Sequence, residues 1–392
     1  MCLWPFLSIK TNNIIEYRTV VYISLYELLS DLSERKGKKG QNSIINTSVN
    51  INNNKQGKNM KITRILVALS FLFTVVNANA GTLSVTGNME TTYHSESGNN
   101  TGNPLGMDRE LKFAGSTELD NGITVSVMQD TTDSLAYSNS QIAFSNDLGT
   151  LYIGSDSDPV DSIDDITPSA YEEANGSGSG TYIDVSGSAG DMGLGIKYDL
   201  PILGALNAKY YPKADGVKNA DNASSGTGNT ATGSAYAITL KTDIGATVAP
   251  LAGLVLTTGG ASITNSNLAN TDDEFHMTAA LNYATGPIKV GVQKSWLGQG
   301  QTVATTQEVE YNNMMIGIAY AVNDSLSVSY NRITSEQRSA ANVYVEQDTD
   351  AFNIGYTIGG MTIGFQDAKT GNANYVTGAD DDARTLGVSV AF

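Results

Sequence analysis

Arg384-Thr385-Leu386-Gly387-Val388-Ser389-Val390-Ala391-Phe392 is the stretch on which the reading of this chain turns. Leu386, Val388, Val390 and Phe392 stand at every second position, with small or polar residues between them. Successive side chains of a β-strand point to opposite faces, so this is a strand with one apolar face, ending on an aromatic residue. The same two-residue period recurs upstream for some 300 residues between turn signals, with almost no helical period. A long chain of such strands reads as all-β, and a sheet apolar on one side and polar on the other can close into a membrane barrel.

Residues Met60 to Ala80 have a different character. Lys61 and Arg64 precede the apolar run Ile65 to Val76, and Ala78-Asn79-Ala80 comes after it. A basic start, a short apolar stretch and an A-x-A site make a secretory signal, with cleavage expected between Ala80 and Gly81. The apolar stretch is too short for a transmembrane helix. Residues 1–59 are rich in Asn, Ile and Lys and show no barrel pattern; the plain reading is a disordered, non-barrel extension from a start placed too far upstream, with Met60 the true first residue, and the sharper one is a genuine extended leader that slows export. The barrel is expected over residues 81–392.

The whole chain carries 23 Lys and Arg against 40 Asp and Glu. The first 80 residues hold 10 of the bases and 4 of the acids, leaving 13 against 36 and a net charge of −23 on residues 81–392. Such a field repels nucleic acid and favours small cations. The single cysteine is Cys2, so no disulfide framework staples the exported part.

Short and long connections alternate. The short ones are Asp120-Asn121-Gly122, Asn146-Asp147-Leu148-Gly149, Pro201-Ile202-Leu203-Gly204, the stretch Asp243 to Ala252, Thr285-Gly286, Val322-Asn323-Asp324 and Ile358-Gly359-Gly360. Most carry the Asn, Asp or Gly that tight turns need. Long polar segments fall at about 95–108, 132–139, 155–190, 214–232, 264–274, 298–307, 334–348 and 369–383. Seven turns and eight loops join sixteen antiparallel strands, an even number that returns both ends to one side.

Alternation alone does not choose a membrane barrel over a soluble sandwich, whose apolar face would be its core. Three features favour the membrane: the signal, the one-sided loop lengths, and a polar face of Ser, Thr, Gly and Asn rather than charge. Aromatics also recur near strand ends on the apolar face (Tyr93, Tyr198, Tyr210, Tyr283, Tyr320, Tyr330, Tyr356, Phe365, Phe392), as interfacial girdles would. Val388 and Ile354 are expected to face lipid, and Ser389 and Asn353 the interior, where an Arg would be tolerated.

Phe113-Ala114-Gly115-Ser116-Thr117-Glu118-Leu119-Asp120-Asn121-Gly122-Ile123 resembles the hairpin near the start of Gram-negative general porins, where a strand ends in Gly-Ser-x-x-Leu and turns through x-Asn-Gly. Gln141-Ile142-Ala143-Phe144 followed by Asp147-Leu148-Gly149-Thr150-Leu151-Tyr152-Ile153-Gly154 is similar to that family's next hairpin, before its long third loop. Leu386, Val388, Val390 and Phe392 match the terminal signal read by the barrel-assembly machinery. The resemblance implies a homotrimer of sixteen-stranded barrels in the outer-membrane lipid of a Gram-negative bacterium. Each barrel would enclose a water-filled pore narrowed by the third loop folded into the lumen.

Here that loop would run from Ser155 to Gly190 without a base, and it holds Asp156, Asp158, Asp161, Asp164, Asp165, Glu172, Glu173 and Asp184. A solvated loop is the plain reading of such a run; its place after the fifth strand makes an acidic constriction the sharper one. Family members commonly carry an Arg after the Gly matching Gly154, whereas this chain has Ser155. The remaining basic wall is read as Lys112, Lys197, Lys209 and Lys289 by alternation, with Arg109 near a strand mouth. Excess carboxylate attracts cations and excludes anions.

Catalytic constellations are missing from the sequence. His94 and His276 lie far apart, no cysteine remains for a nucleophile or zinc, and no phosphate-loop motif occurs. No cofactor is expected. Thr271-Asp272-Asp273-Glu274 and Asp380-Asp381-Asp382 are oxygen-rich enough to attract Ca²⁺ weakly but lack EF-hand spacing. Two functions survive: a channel for passive diffusion of small hydrophilic solutes and ions, and a structural or adhesive barrel with a closed lumen.

Overall fold

A computed structural model describes residues 81–97, 102–131, 137–155, 158–174, 181, 183–188, 191–213, 233–264, 273–300 and 309–392. The expected extension and signal (1–80) and one candidate loop acid, Asp156, lie outside the described residues.

The strands are β1 Thr82–Glu96, β2 Leu105–Glu118, β3 Thr124–Thr131, β4 Tyr137–Asn146, β5 Gly149–Gly154, β6 Gly193–Leu200, β7 Gly204–Tyr211 and β8 Ala235–Asp243. They continue as β9 Leu254–Ile263, β10 Glu274–Thr285, β11 Ile288–Gly298, β12 Glu310–Ala321, β13 Leu326–Arg338, β14 Tyr344–Ile358, β15 Met361–Gly371 and β16 Asp381–Ala391. Each pairs with its chain neighbours, and β16 pairs with β1 to close the barrel. Closure leaves no unpaired edge, the condition for a sheet to sit in lipid where backbone groups find no water.

The seam explains the terminal aromatic. Beyond the register pairs Asn88↔Ala391 to Glu96↔Ala383, the Phe392 N–H donates to the Gly87 carbonyl (3.0 Å), and the Phe392 carbonyl accepts from the Gly87 N–H (2.9 Å). Gly87 points outward with Val85 and Met89, and the space left by its absent side chain is filled by the Phe392 ring. Phe392 itself stays 65% exposed on the outer face.

Outward and inward faces separate by parity, as the two-residue period requires. Leu83, Val85, Met89 and Tyr93 are exposed on β1, as are Phe352 and Tyr356 on β14. Tyr198, Tyr210, Tyr320 and Tyr330 continue the outward aromatic series. Near the long-loop rim the outer face turns charged: Arg332 pairs with Asp348 (3.0 Å) and Asp350 (3.3 Å), and Arg384 with Asp367 (2.8 Å).

Those pairs account for a departure from expectation. Residues 334–348, expected to be a long loop, are mostly strand, and only the stretch between Arg338 and Tyr344 turns. Asn342 supplies the positive φ of that turn (59°). The charged and hydroxylic residues that give the segment its loop-like composition satisfy one another across strands, Thr334 donating to Asp348 at 2.7 Å and Arg338 pairing with Glu310 at 2.5 Å. On the opposite rim, the connection after β8 is larger than a turn; Asp243 caps a short helix, Ile244–Thr247, by accepting from the Ala246 N–H at 3.0 Å.

Candidate functional site

β5 stops after six residues, and the chain beyond it folds inside the barrel. Asp158 anchors the start of this loop. Its carboxylate accepts from the N–H groups of Val160 (2.9 Å), Asp161 (3.2 Å), Gly187 (2.8 Å) and Ser188 (2.8 Å), and from the Tyr211 hydroxyl of β7 (2.7 Å). One buried carboxylate thus ties the outgoing limb, the returning limb and the wall together.

The outgoing limb, residues 158–174, then travels around the inner wall. Gln293 of β11 accepts from the Ile166 N–H (2.9 Å) and donates to the Asp164 carbonyl (2.6 Å), and Asn282 of β10 donates to the Ile166 carbonyl (3.0 Å). Asn331 of β13 donates to the Pro168 carbonyl (3.0 Å), and Ser329 accepts from the Ala170 N–H (2.9 Å). At the far end the Tyr171 hydroxyl donates to Glu90 of β1 (2.8 Å), and Gln366 of β15 donates to the Glu173 carbonyl (2.8 Å). The limb lies close because inward positions beneath it are glycine: a Cβ on Gly259, Gly291 or Gly317 would crowd Ile163 or Pro168.

The returning limb lies nearer the long-loop rim. Thr181 bonds Gln347 of β14, and Ser186 meets the Nδ1 of His276 on β10. Between limb and wall sit two small apolar clusters. Val160 and Val185 pack with Tyr211, Ala237, Leu297, Tyr311 and Tyr375; Ala174 and Ile183 pack with Met315, Ile333 and Ala351. Tyr375 comes from the loop after β15, so that loop also folds inward, its hydroxyl 2.6 Å from Ser335 Oγ.

With the backbone so fixed, carboxyl groups crowd one another. Asp164 and Asp165 share a side-chain hydrogen bond; burial, then mutual repulsion, raises Asp164, while burial and Glu173 raise Asp165. Burial, then Glu173, Glu90 and Asp165, push Glu172 up to about 7. Asp161 and Asp184 are raised too, chiefly by burial. Each shift reflects lost hydration, to which like charge nearby adds for every group but Asp184. Chemically the arrangement gathers acidic groups around the inner wall of the lumen, protonated in part near neutral pH and increasingly ionised as pH rises.

A family model described as Gram-negative porin matches residues 66–362. The chain belongs to that family. Solved structures share the fold at low identity. A loop L8 deletion mutant of OmpT, an outer membrane protein of Vibrio cholerae, has a TM-score of 0.60 at 10% identity, covering 80% of this chain and 100% of its own. The anion-selective porin of Comamonas acidovorans gives 0.59 at 13%, with the same coverage. Salmonella typhi OmpF in complex with daunomycin gives 0.60 at 13%, covering 80% and 98%. No curated protein matches by sequence. The chain is thus a transmembrane β-barrel of the Gram-negative outer membrane, with the sixteen antiparallel strands of its fold.

In this porin the expected loop acids divide. Asp161, Asp164, Asp165, Glu172 and Glu173 remain exposed or half-buried, whereas Asp158 is buried and fully engaged as an anchor. The basic wall divides as well. Arg109 pairs in register with Met89 and shares the parity of Met107 and Phe113, so it belongs to the outer face and not the lumen. Lys209 is buried with its Nζ 4.6 Å from the Tyr211 ring centre. Lys112 faces inward but pairs with buried Asp130 (3.5 Å), and Lys197 stands 5.3 Å from the Tyr152 ring. Ser155 is buried against Ser140, its Oγ accepting that residue's N–H at 3.1 Å. Gln293, Asn331, Gln366, Tyr171 and the inward glycines are not legible as site residues in the sequence; glycine at inward strand positions is the one signal that points to them.

Proposed function

We propose that this porin is a water-filled channel for passive diffusion of small hydrophilic solutes and ions, selective for cations through its inward-folded loop. The observation that carries the reading is the limb 158–174. It lies along the inner wall with half-buried carboxyls at Asp164, Asp165, Glu172 and Glu173, and its sequence contains no base. Lys112 is paired with Asp130, and the six acids of the limb outnumber the inward Lys197, Lys209 and Lys289. The shared family supports a diffusion channel over an enzyme. In the membrane we expect a homotrimer, exported with Gly81 as its first residue; N-terminal sequencing of outer-membrane material that begins before residue 60 would overturn the latter.

Neutralising Asp161, Asp164, Asp165, Glu172 and Glu173 to Asn and Gln tests the reading in planar bilayers. The cation/anion permeability ratio in dilute KCl should fall, with little change of conductance in concentrated KCl, because the Debye length shrinks from ~10 Å at 0.1 M to ~3 Å at 1 M. Neutralising Asp380, Asp381 and Asp382 should do much less. Equal effects would assign selectivity to overall charge. A second reading, a structural barrel with a closed lumen, draws on the inward apolar packing of Val160, Val185, Tyr311 and Tyr375. Absence of single-channel conductance would favour it.

A further inference from the structure

At the far end of the loop the inward glycines fall side by side on adjacent strands. Gly355, Gly364 and Gly387 pair with one another in register across β14, β15 and β16, and Gly387 pairs with Thr92 of β1. All three point into the lumen. A Cβ at Gly355 would overlap the Ala170 carbonyl, one at Gly364 the ring of Tyr171, and one at Gly387 its hydroxyl. The three glycines form a socket of missing side chains, and the Tyr171 ring lies in it.

Polar contacts fix both the ring's orientation and the path of the next two residues. The Tyr171 hydroxyl donates to Glu90 Oε1 at 2.8 Å. Gln366, 1% exposed, donates to the carbonyls of Glu172 (3.3 Å) and Glu173 (2.8 Å), immediately after Tyr171. Glu90 is therefore a wall carboxylate beside the loop's own acids, and its charge is among those that raise Glu172. On the inner face of β1 it has Asn88 and Thr92 as parity neighbours. On β2 it is opposite Asp108, itself an acid.

We propose that Tyr171 in its glycine socket is the positioning residue of the constriction, and that Glu90 is a selectivity determinant contributed by the barrel wall. This rests on the acidic-loop reading above. Tyr171 acts through geometry: it sets where Glu172 and Glu173 stand. Glu90 acts through charge and also accepts the bond that holds Tyr171.

Bilayer recordings of the refolded barrel separate these roles. Glu90→Gln keeps an acceptor for the Tyr171 hydroxyl and removes the charge. It should lower the cation/anion permeability ratio about twofold in dilute KCl with conductance in concentrated KCl unchanged. Gly364→Ala fills the socket, displaces the ring and should change both quantities. Tyr171→Phe keeps the ring seated and should change both less than Gly364→Ala does. If Gly364→Ala fails to form barrels, Tyr171→Ala empties the socket without altering the wall and should likewise change both. Wild-type behaviour of Gly364→Ala, or of Tyr171→Ala in its place, would overturn the positioning role. An unchanged ratio in Glu90→Gln, while neutralising the loop acids abolishes selectivity, would overturn the role of Glu90 and leave the loop reading standing. If the loop neutralisation also has no effect, the loop reading itself fails.

Discussion

On β14, Phe352, Ile354 and Tyr356 point outward, while Asn353, one position along, is fully buried and bonded to Asn331 (3.3 Å) and Gln366 (3.0 Å). The outer face of these strands meets one uniform solvent, the lipid, and its residues are interchangeable within broad limits of polarity. Their inner face meets a specific piece of the same chain. There the residue types are set by contacts with partners far away in sequence: Gln293 with Ile166, Asn331 with Pro168, Gln366 with Glu173. Selection by a solvent leaves a periodic trace; selection by a partner leaves a set of particular residues with no period.

This difference decides what is legible in the sequence. Strand number, the alternation of turns with loops and the outward aromatics all derive from a two-residue period and turn chemistry, which are local. The resemblance of Phe113–Ile123 to a known hairpin is local too. A polar inner face, however, reads the same whether it faces water or a docked loop, so Asn353 reads as a position where Arg would be tolerated. Charges mislead in the opposite direction. By sequence Arg109 reads as a lumen residue, yet strands here extend to a rim where outward charges such as Arg332 and Arg384 find carboxylates on neighbouring strands. Exposed pairs of that kind contribute little stability each, but they make charge on the outer face tolerable near the rim.

The largest expected effect tests the outer face. Ile354→Arg, if near the midplane, should cost roughly 2–4 kcal/mol of barrel stability in a refolding titration. Ser389→Arg, on the inner face and half-buried, should cost far less. Asn353→Arg is now expected to perturb permeation by displacing the loop, rather than to be silent. If Ile354→Arg and Ser389→Arg refold alike, the register that separates the two faces is wrong.

A middle-sized effect tests the docked loop alone. Asp158→Ala leaves the N–H groups of Gly187 and Ser188 and the Tyr211 hydroxyl without their acceptor. Unsatisfied buried donors cost about 1–3 kcal/mol each. Because the barrel's own ladders are untouched, the loss should appear as loop release: faster proteolysis within residues 158–188 and noisier single-channel current, with nearly unchanged thermal unfolding of the barrel. Matching losses in loop protection and barrel unfolding would show that loop and wall fold as one unit, erasing the contrast between them.

The smallest effect concerns pH and separates the loop's charge from its fit. Glu172 titrates near 7, and Asp164 and Asp165 are also raised above the usual carboxylate range. As pH falls the carboxyls take up protons, Asp164 first at about 9, then Glu172 at about 7 and Asp165 at about 6, so the cation/anion permeability ratio should be highest in alkali above the first of these and decline through all three toward acid. The sign for loop stability is opposite. A carboxyl whose docked-state pKa lies above its free value favours docking fully below the free value, near 4.5, and loses that contribution as pH rises through about 7. Acid should therefore weaken selectivity while protecting the loop from proteolysis, and Glu172→Gln should flatten both trends around pH 7. Reversal potentials in a KCl gradient and proteolysis rates, each measured over pH, give the two curves independently. If the ratio and the protection rise and fall together, the carboxyls act on permeation by moving the loop; if they run in opposite directions, they act as charge on a loop that the wall already holds.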